Sequence, residues 1–228
     1  MVRKKFIVLL AWNIVFWAGS SLAHSNELWV SVKKEVWDNA EVGEASNTAI
    51  YLYSEIRQRE QERQIYGAFN GVVLRHNINP FLQIGAGIKY ITFRSERGGF
   101  DPRFRTELEV TSSTLIGDGE PIKLSLRNRW ELFKNRGKKD VNRLRHRIQL
   151  QGHLRADYGL HGWFMSHELI YTQERGAYHF QQYRFTPLGL KFKPSESVRA
   201  DLFYMITRHY VGQSEDGYVH VLGLNVTF

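Results

Sequence analysis

The chain has 228 residues, 31 Lys and Arg against 23 Asp and Glu, a net charge of +8 and no cysteine. That length allows one large domain or two small ones. The missing cysteines exclude a disulfide framework and thiolate metal clusters.

Arg3, Lys4 and Lys5 open the chain, an apolar run from Phe6 to Gly19 follows, and Ser20-Ser21-Leu22-Ala23 supplies small residues. These are the three parts of a cleavable signal peptide, residues 1–23, with the cut after Ala23 and a single domain over 24–228. The run is shorter than the roughly 20 residues a helix needs to cross a bilayer. Setting aside its three cations leaves 28 basic and 23 acidic residues, a net charge of +5. An exported domain without disulfides needs another source of stability, and a closed hydrogen-bonded barrel in a membrane is one.

Beyond residue 24 the sequence alternates. Leu28–Val36 sets Leu28, Val30 and Val32 against Ser31, Lys33 and Glu35. Thr48–Arg59 sets Ile50, Leu52 and Ile56 against Tyr51, Tyr53, Glu55, Arg57 and Arg59. Gln64–Arg75 alternates poorly. Phe81–Phe93 carries Leu82, Ile84, Ala86 and Ile88 on one side and Gln83, Gly85, Gly87 and Lys89 on the other.

The three central segments are the clearest. Arg103, Arg105, Glu107 and Glu109 alternate with Phe104, Thr106, Leu108 and Val110. Lys123, Arg127, Arg129 and Glu131 alternate with Ile122, Leu124, Leu126 and Trp130. Arg143, Arg145 and Arg147 alternate with Leu144, His146, Ile148 and Leu150. A strand sends successive side chains to opposite faces; a helix would scatter these charges around its axis. Further strands are predicted over Trp163–Thr172, Phe180–Phe192, Val198–Thr207 and Tyr218–Phe228, with Pro187 marking a bulge or unpaired edge.

Such a pattern fits a soluble β-protein with charges outside, or an outer-membrane barrel with charges inside. Most segments reach the about 9–11 residues of a tilted membrane-spanning strand, whereas soluble strands average about 5–6. Trp29, Trp37, Tyr90, Phe93, Trp130, Phe133, Trp163, Tyr171 and Tyr218 fall near strand ends, as expected for headgroup girdles. Leu222, Leu224, Val226 and Phe228 resemble the terminal signal strand that the outer-membrane barrel-assembly machinery recognises.

On the four clearest strands every charge shares the polar parity: ten cations and the four anions Glu55, Glu107, Glu109 and Glu131. A basic residue facing lipid costs about 2–4 kcal/mol at the midplane. Ten of them outward would exceed a domain's net stability, so in a membrane these residues line the interior. The expected fold is all-β, an antiparallel up-and-down transmembrane barrel of 10–12 strands. Eleven segments are readable; the even count usual in bacterial barrels favours twelve.

The spaced Arg–Glu strands, Gly85-Ala86-Gly87, the stretch from Arg184 to Phe192 and the terminal Phe228 resemble a family of uncharacterised bacterial outer-membrane barrels, a domain of unknown function. The resemblance implies a barrel in the outer membrane and assigns no chemistry.

Ser166-His167-Glu168 has the residues of a hydrolase triad, but on a strand His167 points away from the other two. The histidines make no His-Glu-x-x-His motif, and no metal or other cofactor is expected. Gly85 and Gly87 precede no helix, so they read as room for opposing side chains rather than a nucleotide loop. Export and the interleaved glutamates argue against nucleic acid.

The expected function is a narrow porin-like pore with a basic lumen that prefers small anions. Its lining would be Glu55, Arg57, Arg59, Arg103, Arg105, Glu107, Glu109, Lys123, Arg127, Arg129, Glu131, Arg143, Arg145 and Arg147. A closed structural or surface-interaction barrel is the alternative, because the same residues can interlock. A lipid-modifying outer-membrane enzyme is a second, needing a rim constellation that no spacing shows; the protein is not expected to be an enzyme.

Overall fold

The computed structural model describes residues 26–39, 47–59, 64–95, 99–135, 139–154, 159–174, 176–211 and 214–228. The predicted signal peptide lies outside the described residues.

Among them are eleven strands: β1 Asn26–Asp38, β2 Asn47–Arg59, β3 Gln64–Asn79, β4 Leu82–Arg94, β5 Phe100–Ile116, β6 Ile122–Asn135, β7 Val141–His153, β8 Leu160–Glu174, β9 Ala177–Ser195, β10 Val198–Val211 and β11 Ser214–Thr227. Each neighbour along the chain is a neighbour in space, and β11 returns to β1 to close the barrel. All eleven readable segments are strands, so the even-number rule that favoured twelve does not apply here. An odd count has a topological consequence. Ten antiparallel pairings leave the first and last strands running the same way, so β1 and β11 close in parallel, from Asn26 opposite His220 to Lys33 opposite Thr227. The Phe228 N–H extends the seam by donating to the Lys33 carbonyl at 3.0 Å.

We call the end with the β3–β4 and β5–β6 turns and Phe228 proximal, and the opposite end, where Arg59 closes β2 and Ala177 opens β9, distal.

The barrel is inverted relative to a soluble protein. Leu108 and Ile148 are 56% and 54% exposed on its outside, while Glu131 and Glu168 are 0% and 1% exposed within it. Alternation explains this directly: with one side-chain parity turned inward on each strand, the apolar parity must face out.

Part of the interior is filled by rings set over glycines. Across the seam, Trp29, Gly223, Phe203, Gly189 and Phe164 lie opposite one another on successive strands. A Cβ on Gly223 would collide with the Phe203 ring, and one on Gly189 with the Phe164 ring. The glycines let the rings lie down against the wall rather than stand into the interior.

Three residues expected in the outer aromatic girdles are inside instead. Trp29, Phe93 and Phe133 share the inward parity of Ser31, Lys89 and Glu131; Trp29 and Phe133 are buried, and Phe93 stands edge-on to the buried Phe69. Trp37, Tyr90 and Tyr218 remain exposed on the outside.

Candidate functional site: an inward Arg–Glu lattice

Four carboxylates organise the interior. β5 contributes Glu107 and Glu109, β6 Glu131 and β8 Glu168. Glu131 receives Arg145 at 2.8 Å, Arg105 at 3.5 Å, and Arg129 and Arg143 at 3.7 Å. Glu168 receives Arg145 at 2.7 Å, Arg127 at 3.0 Å, Arg147 at 3.3 Å and Arg184 at 3.5 Å. Glu107 is held by Lys89 at 3.0 Å and Arg105 at 3.1 Å. Glu109 is held by Arg129, with Arg127 at 3.6 Å and Arg75 at 4.0 Å.

Among the described residues, nine cations thus converge on four carboxylates. Taking charges out of water is costly, and ion pairing repays that only where both signs are matched. Within this lattice the cations outnumber the carboxylates they contact.

Local sequence makes the lattice possible. Gly85 and Gly87 on β4 lie opposite Glu109 and Glu107. A Cβ on Gly87 would sit 3.0 Å from Glu107 Cγ and Oε1, so the glycine gives the carboxylate its room. On β9, Pro187 makes a bulge. Tyr204 faces Leu188 and Ile206 faces Phe185, so Met205 opposes two β9 residues. Proline has no N–H to give to a ladder, and the extra residue switches parity. Gln182, Arg184 and Thr186 are buried before the bulge, and Gly189 after it.

Aromatic shelves hold guanidiniums alongside the carboxylates. Arg57 lies between the Trp29 and Phe69 rings, 3.8 and 4.3 Å from their centroids. Its Nε also donates to Glu55 at 2.6 Å. Arg184 crosses from β9 to within 5.0 Å of Trp29.

Among the described residues, two basins open in the interior. The proximal one, about 360 Å³, is bordered by Lys33, Arg75, Arg127, Arg147 and Lys191, with Asp201 opposite. The distal one, about 420 Å³, is bordered by Arg103, Arg143, Phe69, Phe93 and Phe133. Arg57, Arg105, Arg145 and Arg184 border both. These four arginines form the partition between them.

All fourteen residues expected to line the interior carry the inward parity, but not equally. Arg105, Glu107, Glu109, Glu131 and Arg145 are buried in the lattice, with Arg127, Arg129, Arg143 and Arg147 around them. Glu55 and Arg57 pair beside it, and Arg103 borders the distal basin. Arg59 stands at the distal rim, its side chain 52% exposed, 3.5 Å from Glu27. Lys123 lies near the proximal end and belongs to neither basin.

Lys33, Arg75, Lys89, Arg184 and Lys191 were missing from that list. Parity alone marks Lys33 and Lys89; Arg75 and the β9 cations sit where alternation is weak or reset. Ser166 and Glu168 are buried inside while His167 is exposed outside, hydrogen-bonded to the Tyr183 hydroxyl at 2.8 Å. These three cannot form a triad. Leu222, Leu224 and Val226 alternate with inward Val221, Gly223 and Asn225, whose Oδ1 accepts from Ser31 Oγ at 2.5 Å. Among the described residues no three His, Asp or Glu side chains are grouped to hold a metal ion.

A closed sheet with charges paired inside and aliphatic side chains turned outward defines a β-barrel of the kind compatible with an outer membrane. The family model for a protein of unknown function, DUF2490, matches residues 28–217, and the chain belongs to that family. No curated protein matches it.

Proposed function

We propose that this barrel resides in the bacterial outer membrane and provides a narrow, anion-preferring pathway of low throughput. The inversion of the two faces carries the reading. Monomeric soluble proteins rarely expose contiguous apolar patches beyond a few hundred Å². Here Ile84, Ile88, Leu108, Val110, Leu126 and Ile148 are all exposed on adjacent strands. Acyl chains are the environment that such a wall needs. Export would follow removal of residues 1–23, and Leu222, Leu224, Val226 and Phe228 would engage the assembly machinery. Neither nucleic acid nor catalysis enters this reading.

Small anions are the proposed solutes, because the surplus cations of both basins favour them. The shared wall of Arg57, Arg105, Arg145 and Arg184 limits passage, so a solute crosses only when that wall rearranges. The same wall favours a second reading, a closed barrel that works without conduction.

Reconstitution in planar bilayers under a KCl gradient separates the two. The pathway predicts small unit steps with a reversal potential on the chloride side. No step at any salt concentration contradicts it and leaves the closed barrel.

A further inference from the structure

The two basins differ in what surrounds their cations. The proximal one is walled chiefly by charged and polar groups, with Trp29, Tyr53, Phe164 and Phe203 among them, whereas the smaller wall of the distal one sets Phe69, Phe93 and Phe133 against Arg57, Arg103 and Arg143, with Glu174 also on its border. The rings are shelves for these guanidiniums. Arg57 lies 4.3 Å from Phe69, Arg143 4.7 Å from Phe133 and Arg103 5.4 Å from Phe93. A ring face attracts a guanidinium without cancelling its charge. Arg103 has no ion pair among the described residues, and Arg143 reaches Glu131 only at 3.7 Å. Two further guanidiniums, Arg105 and Arg184, border the basin while buried, and the Nε of each has no hydrogen-bond partner.

The distal basin therefore combines an excess of positive charge with an apolar wall. Its volume, about 420 Å³, falls within the roughly 300–1,000 Å³ of small-molecule sites. An inorganic anion would answer the charge and leave the rings wet. A carboxylate on a flat apolar body answers both, since guanidinium pairs with carboxylate in a planar fork.

We infer that the distal basin is a binding site for organic carboxylates with an aromatic or compact apolar body. The inference rests on the reading that the interior admits anions, and adds a preference among them.

Calorimetric titration of the purified protein in detergent micelles with benzoate, acetate and inorganic phosphate tests it. Benzoate should bind about tenfold or more tightly than acetate, because its ring leaves water for the apolar wall. Arg103→Gln should weaken both carboxylates. Phe93→Leu, which keeps the charge, should weaken benzoate and leave acetate unchanged. Equal binding of benzoate and acetate overturns the inference, and the anion pathway survives if chloride-selective steps are still seen. Benzoate binding that neither substitution alters puts the ligand elsewhere and overturns it too. Absence of all anion binding, together with absence of conductance, removes both readings.

Discussion

Arg145 Nη2 donates to Glu168 Oε2 across 2.7 Å, joining β7 to β8 where both residues are buried. Its Nη1 donates to Glu131 Oε1 at 2.8 Å on the other flank. One guanidinium thus ties three consecutive strands.

Removing one partner of such a pair strands the others. Glu168→Gln would leave Arg127, Arg145, Arg147 and Arg184 facing one another without their shared counter-charge. A loss of about 3–5 kcal/mol is expected, read as a lower temperature for the heat-induced shift of the folded band in gel electrophoresis. Asp140→Asn is the control. Asp140 lies in the β6–β7 connection, where the hydrogen bond from Lys134 holds its carboxyl below the ordinary range. Being exposed at the surface, it should change the transition little.

Gly87 tests the room made for Glu107. Gly87→Val would drive its side chain into the carboxylate and toward the Val72 carbonyl, 3.2 Å from the ideal Cβ position. We expect about 1–3 kcal/mol of destabilisation from overpacking, with Gly87→Ala milder. Urea unfolding in micelles measures both.

Trp29 reports on access to the interior. It is buried between Arg57 and Arg184 and borders the proximal basin. With Trp37, Trp130 and Trp163 replaced by Phe in a protein that starts at His24, the remaining fluorescence should be quenched more by iodide than by caesium. Equal quenching would contradict a cationic interior that draws anions.

The central strands were legible because their charges recur with period two. Arg103 to Glu109, Arg127 to Glu131 and Arg143 to Arg147 can share a face only if the backbone is extended. Arg184 and Lys191 were harder, since the bulge at Pro187 changes which parity faces inward midway along β9. A constant alternation puts these two cations on opposite faces.

The aromatic girdles went astray for another reason. Nearness to a strand end says how high a ring sits, not which way it points. Parity already placed Trp29 with Ser31 and Phe133 with Glu131, and that signal outweighs position. The arginine partition was not legible at all, because it depends on which side chains meet across the interior after closure.

Outward aliphatic residues also set a cost that depends on the solvent around them. Ile148→Arg and Leu108→Arg should each cost about 2–4 kcal/mol in a bilayer if they lie near its midplane. In a soluble protein, surface substitutions of this kind stay within about 0.5 kcal/mol. Refolding equilibria into lipid vesicles give the number.

The chain contains no cysteine, so single labels can be placed without background. Nitroxides at Leu108→Cys and Ile148→Cys, in the protein reconstituted into lipid vesicles, most directly test whether this wall faces acyl chains. Collisions with oxygen should exceed those with a water-soluble nickel chelate at both positions. Greater access to the nickel chelate, or shielding from both reagents, would contradict a barrel that turns its apolar face to lipid.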